Sequence, residues 1–205
     1  MTDHKVTTDT QLDELYGVAI PASKTKELDH ISAHYAKFIE KAPFVVVATI
    51  GTEGMDCSPR GDPAGFVRIL DSKTVLIPDR RGNGRIDTLR NIVADGRIAL
   101  LFVIPGINET LRINGRAELT TDPDLCESFA MQGKPPKSVI IVHAEAVYYQ
   151  CAKALVRSKL WDADSKIARS ELPSNGEMIE AFTDGEIDGA AYDAAYPQRI
   201  KDTIY

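Results

Sequence analysis

The chain has 205 residues, a formal net charge of −6, 43% hydrophobic and 26% charged residues; this is the balance of an ordinary globular protein and excludes a disordered chain. No apolar run approaches the ~20 residues of a membrane helix, and the start MTDHKVTTDTQLDEL lacks the basic-then-apolar pattern of a secretory leader, so a cytoplasmic location is expected. The acidic balance also argues against bulk nucleic-acid binding, and Cys57, Cys126 and Cys151, widely spaced and with no CxxC pair, argue against a disulfide framework or a zinc site.

Residues 1–22 are polar and irregular, and are expected to form an arm on the domain or on a partner. From Ser23, the residues Leu28, Ile31, Tyr35, Phe38 and Ile39 fall on one helical face, with Ser23 or Thr25 available as cap and Pro43 as stop. This predicts an amphipathic helix over the mouth of a barrel. His30 and His34 lie at i and i+4, a spacing that can bind metal, but no HExxH signature accompanies them. They are read as surface histidines, and no metal is expected. Phe44–Ile50 is a β-branched run, Gly51–Gly54 a hairpin turn signal and Met55–Arg60 the returning strand. Gly65–Leu70 and Thr74–Pro78 flank Asp71-Ser72-Lys73 as a second hairpin.

Between Asp79 and Val93 the pattern changes. Gly82, Asn83 and Gly84 supply backbone that can bend with positive φ and approach a ligand, and Ile86, Leu89, Ile92 and Val93 then repeat at helical spacing. The loop therefore opens a helix, whose free N–H groups and dipole favour an anion. Arg80, Arg81, Arg85 and Arg90 crowd this place in an acidic chain, with Asp79 and Asp87 opposing them. That local reversal of sign points to a phosphate, the competing reading being a solvated basic helix end.

Arg97–Ile104 is the next strand, closed by Pro105-Gly106, and Thr110–Leu119 alternates apolar and polar residues as a half-buried strand does. Asp122-Pro123 starts a short helix to about Met131, ended by Gly133-Lys-Pro-Pro136. Ser138 to about Ala152 is a long strand that turns helical through Trp161. The remaining residues, rich in acids and with Glu177–Phe182 as a helical turn, are expected to pack poorly or to pack on a second subunit. About six strands joined mostly by hairpins make a mainly β, antiparallel barrel with peripheral helices. A Rossmann fold is disfavoured, since GNG does not fit GxGxxG and no Walker loop occurs.

Taken together, Ser58–Pro63, Ile77–Ile92, Arg97–Phe102, Glu109–Ala117 and Cys151–Trp161, in this order and spacing, resemble the pyridoxamine 5'-phosphate oxidase-like family of FMN-binding split-barrel proteins. The resemblance covers about residues 35–161 and implies a six-stranded antiparallel split β-barrel that forms a homodimer, with one FMN in each of two interfacial clefts. The domain organisation expected is an arm over 1–22, the barrel over 23–161 and an acidic extension over 162–205. By resemblance, Arg60, Arg85 and Thr88 hold the phosphate, with backbone from Asn83 and Gly84. Ser58, Gly61 and Asp62, with Ile77, Pro78, Asp79 and Arg80, run along the isoalloxazine and ribityl; Glu109, Thr110 and Arg112 reach the flavin from a neighbouring strand. Lys153, Arg157, Ser158 and Trp161 of the other subunit close the cleft, core packing being the alternative for Trp161.

The vitamin B6 oxidases proper end in an Arg-x-His that grips pyridoxal phosphate. Here the end reads Pro-Gln-Arg199-Ile-Lys-Asp, with no His after residue 143. The forms SPRGDPAGF and GNGRIDTLRNI look more like another bacterial branch. The expected function is an FMN-dependent oxidoreductase moving a hydride or electrons to a small molecule at flavin N5, with orientation and electrostatics supplied by the protein. No Ser/His/Asp set or Cys/His pair is visible, so no side chain is assigned as acid or nucleophile. The alternatives are a flavin or haem carrier or sensor without turnover, and a deazaflavin-dependent reductase.

Overall fold

Alternate residues of Phe44–Gly51 are buried, Val45 and Val47 completely, so the run makes a half-buried strand, β1. It turns at Gly54, whose φ of 119° suits glycine, into β2 (Gly54–Gly61). In the computed structural model, which describes residues 4–17 and 20–205, five further strands follow. They are β3 (Arg68–Asp71), β4 (Thr74–Pro78), β5 (Arg97–Val103), β6 (Thr110–Thr120) and β7 (Val139–Gln150). All neighbours pair antiparallel in one sheet ordered β2-β1-β5-β6-β7-β4-β3. The mainly β, antiparallel architecture with peripheral helices agrees with expectation, but among the described residues the strands number seven, not six. Each strand segment read from the sequence forms one of the seven, the shortest being the four-residue edge strand β3, the first strand of the predicted second hairpin, which pairs only with β4.

The longest pairing, β6 with β7, carries a bulge: Asn114 faces Ala146 while Gly115 faces Ala144, leaving Glu145 as the extra residue. A Cβ on Gly115 would lie 2.0 Å from the His143 carbonyl oxygen, so the backbones approach here as only glycine allows. The bulge bends two long strands over a core containing Phe102, Leu100, Leu111, Ile113 and Val147.

The helices follow the chain with three departures. The arm is not irregular: α1 (Asp9–Tyr16) is started by a capping box in which Thr8 Oγ1 accepts from the Gln11 N–H while Gln11 Oε1 accepts from the Thr8 N–H. None of its residues is buried. The part of the predicted arm at residues 1–3, 18 and 19 lies outside the described residues. The single helix expected from Ser23 is instead a short α2 (Pro21–Thr25) and α3 (Ala33–Lys41), capped by Ser32. Between them, Leu28 exchanges backbone hydrogen bonds with Val147 at 3.0 and 2.7 Å, and the Ile31 N–H donates to the Ser72 carbonyl at 2.7 Å. That backbone is committed to the sheet and cannot continue a helix. Tyr35 and Ile39 of α3 fill the core against β3, β6 and β7.

Next come α4 (Asp87–Ala94), which lays Thr88 and Ile92 on β1, α5 (Pro123–Ser128) and α6 (Lys153–Ser158). The third departure is the carboxy-terminal segment, which is structured: α7 (Asn175–Phe182) and α8 (Gly189–Thr203) form a helical pair. Gly176 and Gly189 lie at their crossing, where a Cβ on Gly176 would sit 2.0 Å from the Gly189 carbonyl oxygen, and the Gly176 N–H donates to Asp193 at 2.7 Å.

Candidate functional site

The two ends of the sheet meet where the sequence changes from strand to Gly/Arg loop. Arg80, just past β4, sends its Nε to Asp62 Oδ2 at 2.7 Å, immediately past β2, and Arg60 Nη2 lies 3.8 Å from Asp79. Between these strand ends and the loop opens a cleft of about 1180 Å³, larger than the roughly 300–1,000 Å³ of a usual small-molecule pocket. Its lining carries Arg60, Arg80, Arg81, Arg85, Lys134 and Lys137 against Asp56, Asp79 and Asp87. The cationic excess expected from the sequence is therefore gathered in one place, and Lys134 and Lys137 add to it from the loop after α5.

At the loop end, Gly84 takes a φ of 84° and Asn83 Oδ1 accepts from the Arg85 N–H at 3.0 Å, a turn that delivers the chain into α4. No side chain caps α4, whose N-cap is Ile86, so its first N–H groups have no side-chain acceptor. Arg85 is 79% exposed and lies across Asp87 at 2.7 Å, where it can exchange one anion for another. Thr88 is buried and its hydroxyl donates to Asp56 Oδ2 at 2.5 Å; the Ser58 hydroxyl donates to the same oxygen at 2.9 Å. The Thr88 hydroxyl holds Asp56 below the usual carboxylate range, Ser58 adding to it against the effect of burial. Both hydroxyls predicted to face a ligand are thus engaged by an acid the sequence reading passed over.

At the other end, Asp62 is clasped from two sides, by Arg80 and by the hydroxyl of Tyr205, which donates to Oδ1 at 2.7 Å. The Asp62 carboxylate raises the Tyr205 phenol above its ordinary range. Arg80 also donates from Nη1 to the Phe129 carbonyl at 2.7 Å, so its guanidinium is fixed by both walls.

Asp79 stands between the ends. Burial pushes its carboxyl up, against the pull of Arg60 and Lys137. Because the folded state then holds a proton that the unfolded state releases, this group lowers stability as pH rises through its raised range, and has no such effect at lower pH. Asp79→Asn is accordingly expected to melt higher than the parent at pH 7. The gain should shrink below about pH 4, near the ordinary carboxylate pKa; thermal melts across pH 3–8 check it, and a gain independent of pH would contradict it.

Of the predicted site residues, Ser58, Arg60, Gly61, Asp79, Arg80, Asn83, Gly84, Arg85 and Thr88 line this cleft. Asp62 lies behind the lining, its side chain 2% exposed, and Ile77 and Pro78 are buried in β4. The others do not reach it from their own chain. Glu109 is half-buried before β6 and Thr110 is buried at its start, while Arg112 donates to the Tyr148 hydroxyl at 3.0 Å. Lys153, Arg157 and Ser158 are exposed on α6, the Ser158 hydroxyl donating to the Leu155 carbonyl, and Trp161 Nε1 donates to the Ile107 carbonyl at 2.9 Å. Sequence reasoning missed Asp56, Lys134, Lys137 and Tyr205. Asp56 read only as part of a returning strand and Lys134 as part of a Pro/Gly break, whereas nothing local marks Lys137 or Tyr205.

Among the described residues, no group of three or more metal-ligating side chains is gathered, and no helix is long and apolar enough to cross a membrane. No histidine lines the cleft among the described residues.

A model of the family described as pyridoxamine 5'-phosphate oxidase matches residues 31–151, more than half of the chain. No curated protein matches. Among solved structures, HupZ of Group A Streptococcus is 25% identical with a TM-score of 0.47, covering 57% of this chain and 91% of that one. A putative pyridoxamine 5'-phosphate oxidase of Lactobacillus delbrueckii is 19% identical with a TM-score of 0.47, covering 60% and 98%. An F420 reductase is 16% identical with a TM-score of 0.42, covering 58% and 98%.

Proposed function

Because the chain belongs to the pyridoxamine 5'-phosphate oxidase family, with its split-barrel fold, we propose that the cleft between β2 and β4 binds FMN and that the protein is an FMN-dependent oxidoreductase acting on a small molecule. The observation that carries this reading is the cationic cleft at the uncapped start of α4, with Gly84 at positive φ and Arg60 and Arg85 on the rim. A phosphate suits oriented N–H groups and bidentate guanidinium, and it would draw Arg85 away from Asp87. Asp56 and Asp87 oppose it, so the fit depends on the arginines outnumbering them there.

Bound flavin supplies hydride or electron transfer at N5. The chain's own part is to hold the phosphate at Arg60, Arg85 and the α4 N–H groups, and to set the other end with Arg80 and Asp62. Ser58 and Thr88 act through Asp56, keeping its carboxylate turned to them. No side chain is assigned a proton transfer.

We extend the reading to a homodimer. Its support is the size and openness of the single-chain cleft, together with exposed Val156, Leu160, Ile167 and Leu172 on the segment that would meet a second copy. In that dimer Lys153, Arg157, Ser158 and Trp161 close the partner's cleft. Light scattering should give twice the monomer mass, and a monomer that holds stoichiometric FMN would end the shared-site idea.

The absorbance spectrum of the purified protein and chromatography of its released cofactor test the reading. FMN is expected; haem or a deazaflavin would replace it with one of the other two readings. Reduction of the bound flavin by NAD(P)H in stopped flow then separates an oxidoreductase from a carrier.

A further inference from the structure

Tyr205 stands 143 residues from Asp62 in sequence, yet it enters the cleft. Its hydroxyl donates to Asp62 at 2.7 Å, its ring faces the Arg80 guanidinium at 5.7 Å, and its main-chain oxygen accepts from Lys134 Nζ at 3.0 Å. Those contacts come from the end of β2, the end of β4 and the loop after α5, which are three walls of one space. The helix that delivers it, α8, packs on α7. The contacts seen between this segment and the cleft are therefore few, two charge-assisted hydrogen bonds and one ring face, and the outer of the two bonds is exposed to water that can replace it.

Strand β2 measures the distance from the anion end. Asp56 is tied to α4 through Thr88, and Asp62 is tied to Tyr205, six residues on, or roughly 20 Å at about 3.3 Å per residue. A ligand with its phosphate at α4 and its ring extended along β2 runs toward Tyr205.

We propose that the segment ending at Tyr205 is a detachable strap: it closes the Asp62 end of the cleft, and its docking and the entry of a planar ring exclude one another. Naming that ring as a flavin rests on the function proposed above. With the strap down, Tyr205 satisfies Asp62 and covers Arg80; with it up, both groups face the ring. The apparent affinity for the ligand is then set in part by the fraction of molecules whose strap is open.

The test uses the full chain and its Tyr205→Ala and Tyr205→Phe variants. Without ligand, trypsin cleavage after Arg199 and Lys201 should be faster in both variants, because fraying of the end of α8 is no longer opposed by docking. In titrations, Tyr205→Ala should bind FMN and riboflavin tighter by the same factor, roughly three- to tenfold if the strap is closed in about 70–90% of molecules. FMN should also speed cleavage of the parent. Unchanged cleavage in the variants overturns the strap. Weaker or unchanged flavin binding by Tyr205→Ala overturns the exclusion and makes Tyr205 a fixed wall. Failure of all three proteins to bind either flavin overturns the flavin reading, and the cleavage rates, which need no ligand, tell that failure apart from failure of the strap.

Discussion

Arg85→Ala is expected to weaken FMN binding roughly ten- to a hundred-fold while leaving riboflavin binding within about a factor of two, because a charge-assisted hydrogen bond of about 1.5–3 kcal/mol is lost from the phosphate alone. The side chain is 79% exposed and touches Asp87, so its removal disturbs no packing. It also leaves Asp87 without its cation beside the phosphate, which adds to the loss. Arg90→Ala is the control: it removes the same charge five residues on, within α4, but Arg90 is exposed and does not line the cleft. Titrating both variants and the parent with each flavin, by fluorescence quenching, gives the comparison. Equal FMN losses in the two variants would make the basic loop a solvated helix end.

The second large effect concerns folding. Asp62→Ala is expected to destabilise the protein by about 3–5 kcal/mol, since it removes one partner of a buried pair and leaves the other charge uncompensated. The Asp62 and Arg80 side chains are 2% and 15% exposed, and their 2.7 Å contact joins the strand ends that border the cleft. A fall in melting temperature of roughly 6–20 °C corresponds to that loss in a chain of this size. Asp62→Asn should lose less, because its remaining oxygen still accepts one hydrogen bond. A melt unchanged by Asp62→Ala would show that Arg80 finds water there, and that the ends of the sheet are held by the core instead.

The sheet was legible because Phe44–Ile50 and Arg97–Ile104 are apolar runs of strand length, and because in Thr110–Leu119 the buried Leu111, Ile113 and Ala117 alternate with Arg112, Asn114, Arg116 and Glu118. The Gly/Arg loop was legible for a different reason, that glycine and arginine concentrate where backbone and charge must meet an anion. What escaped depended on distant contacts. The helical periodicity from Leu28 to Ile39 is real, but Leu28 bridges to Val147, and a tertiary hydrogen bond overrode local preference. The capping box at Thr8 and Gln11 was a readable signal for α1. By contrast, α8 carries Gly189 at its start and Pro197 within, so its sequence argued against a helix.

The site divides in the same way. Arg85 could be placed from its neighbours in the Gly/Arg loop and Ser58 and Arg60 from the family resemblance, while the hydrogen bonds of Ser58 and Thr88 to Asp56 required knowing that β2 passes under the start of α4. Asp62 and Tyr205 are joined only by the fold. Glu109, Thr110, Arg112 and the α6 residues came from the family resemblance, and in a single chain they stay outside the cleft. Their part in a site belongs to the proposed dimer.

The most direct measurement is an equilibrium titration of the purified full chain, freed of any bound cofactor, with FMN and with riboflavin in parallel. The cleft described here predicts saturation at one FMN per chain, with FMN bound at least about tenfold tighter than riboflavin, the difference being the phosphate held at α4 by Arg60 and Arg85. Equal affinity for the two flavins, or no saturable binding of FMN, would contradict it.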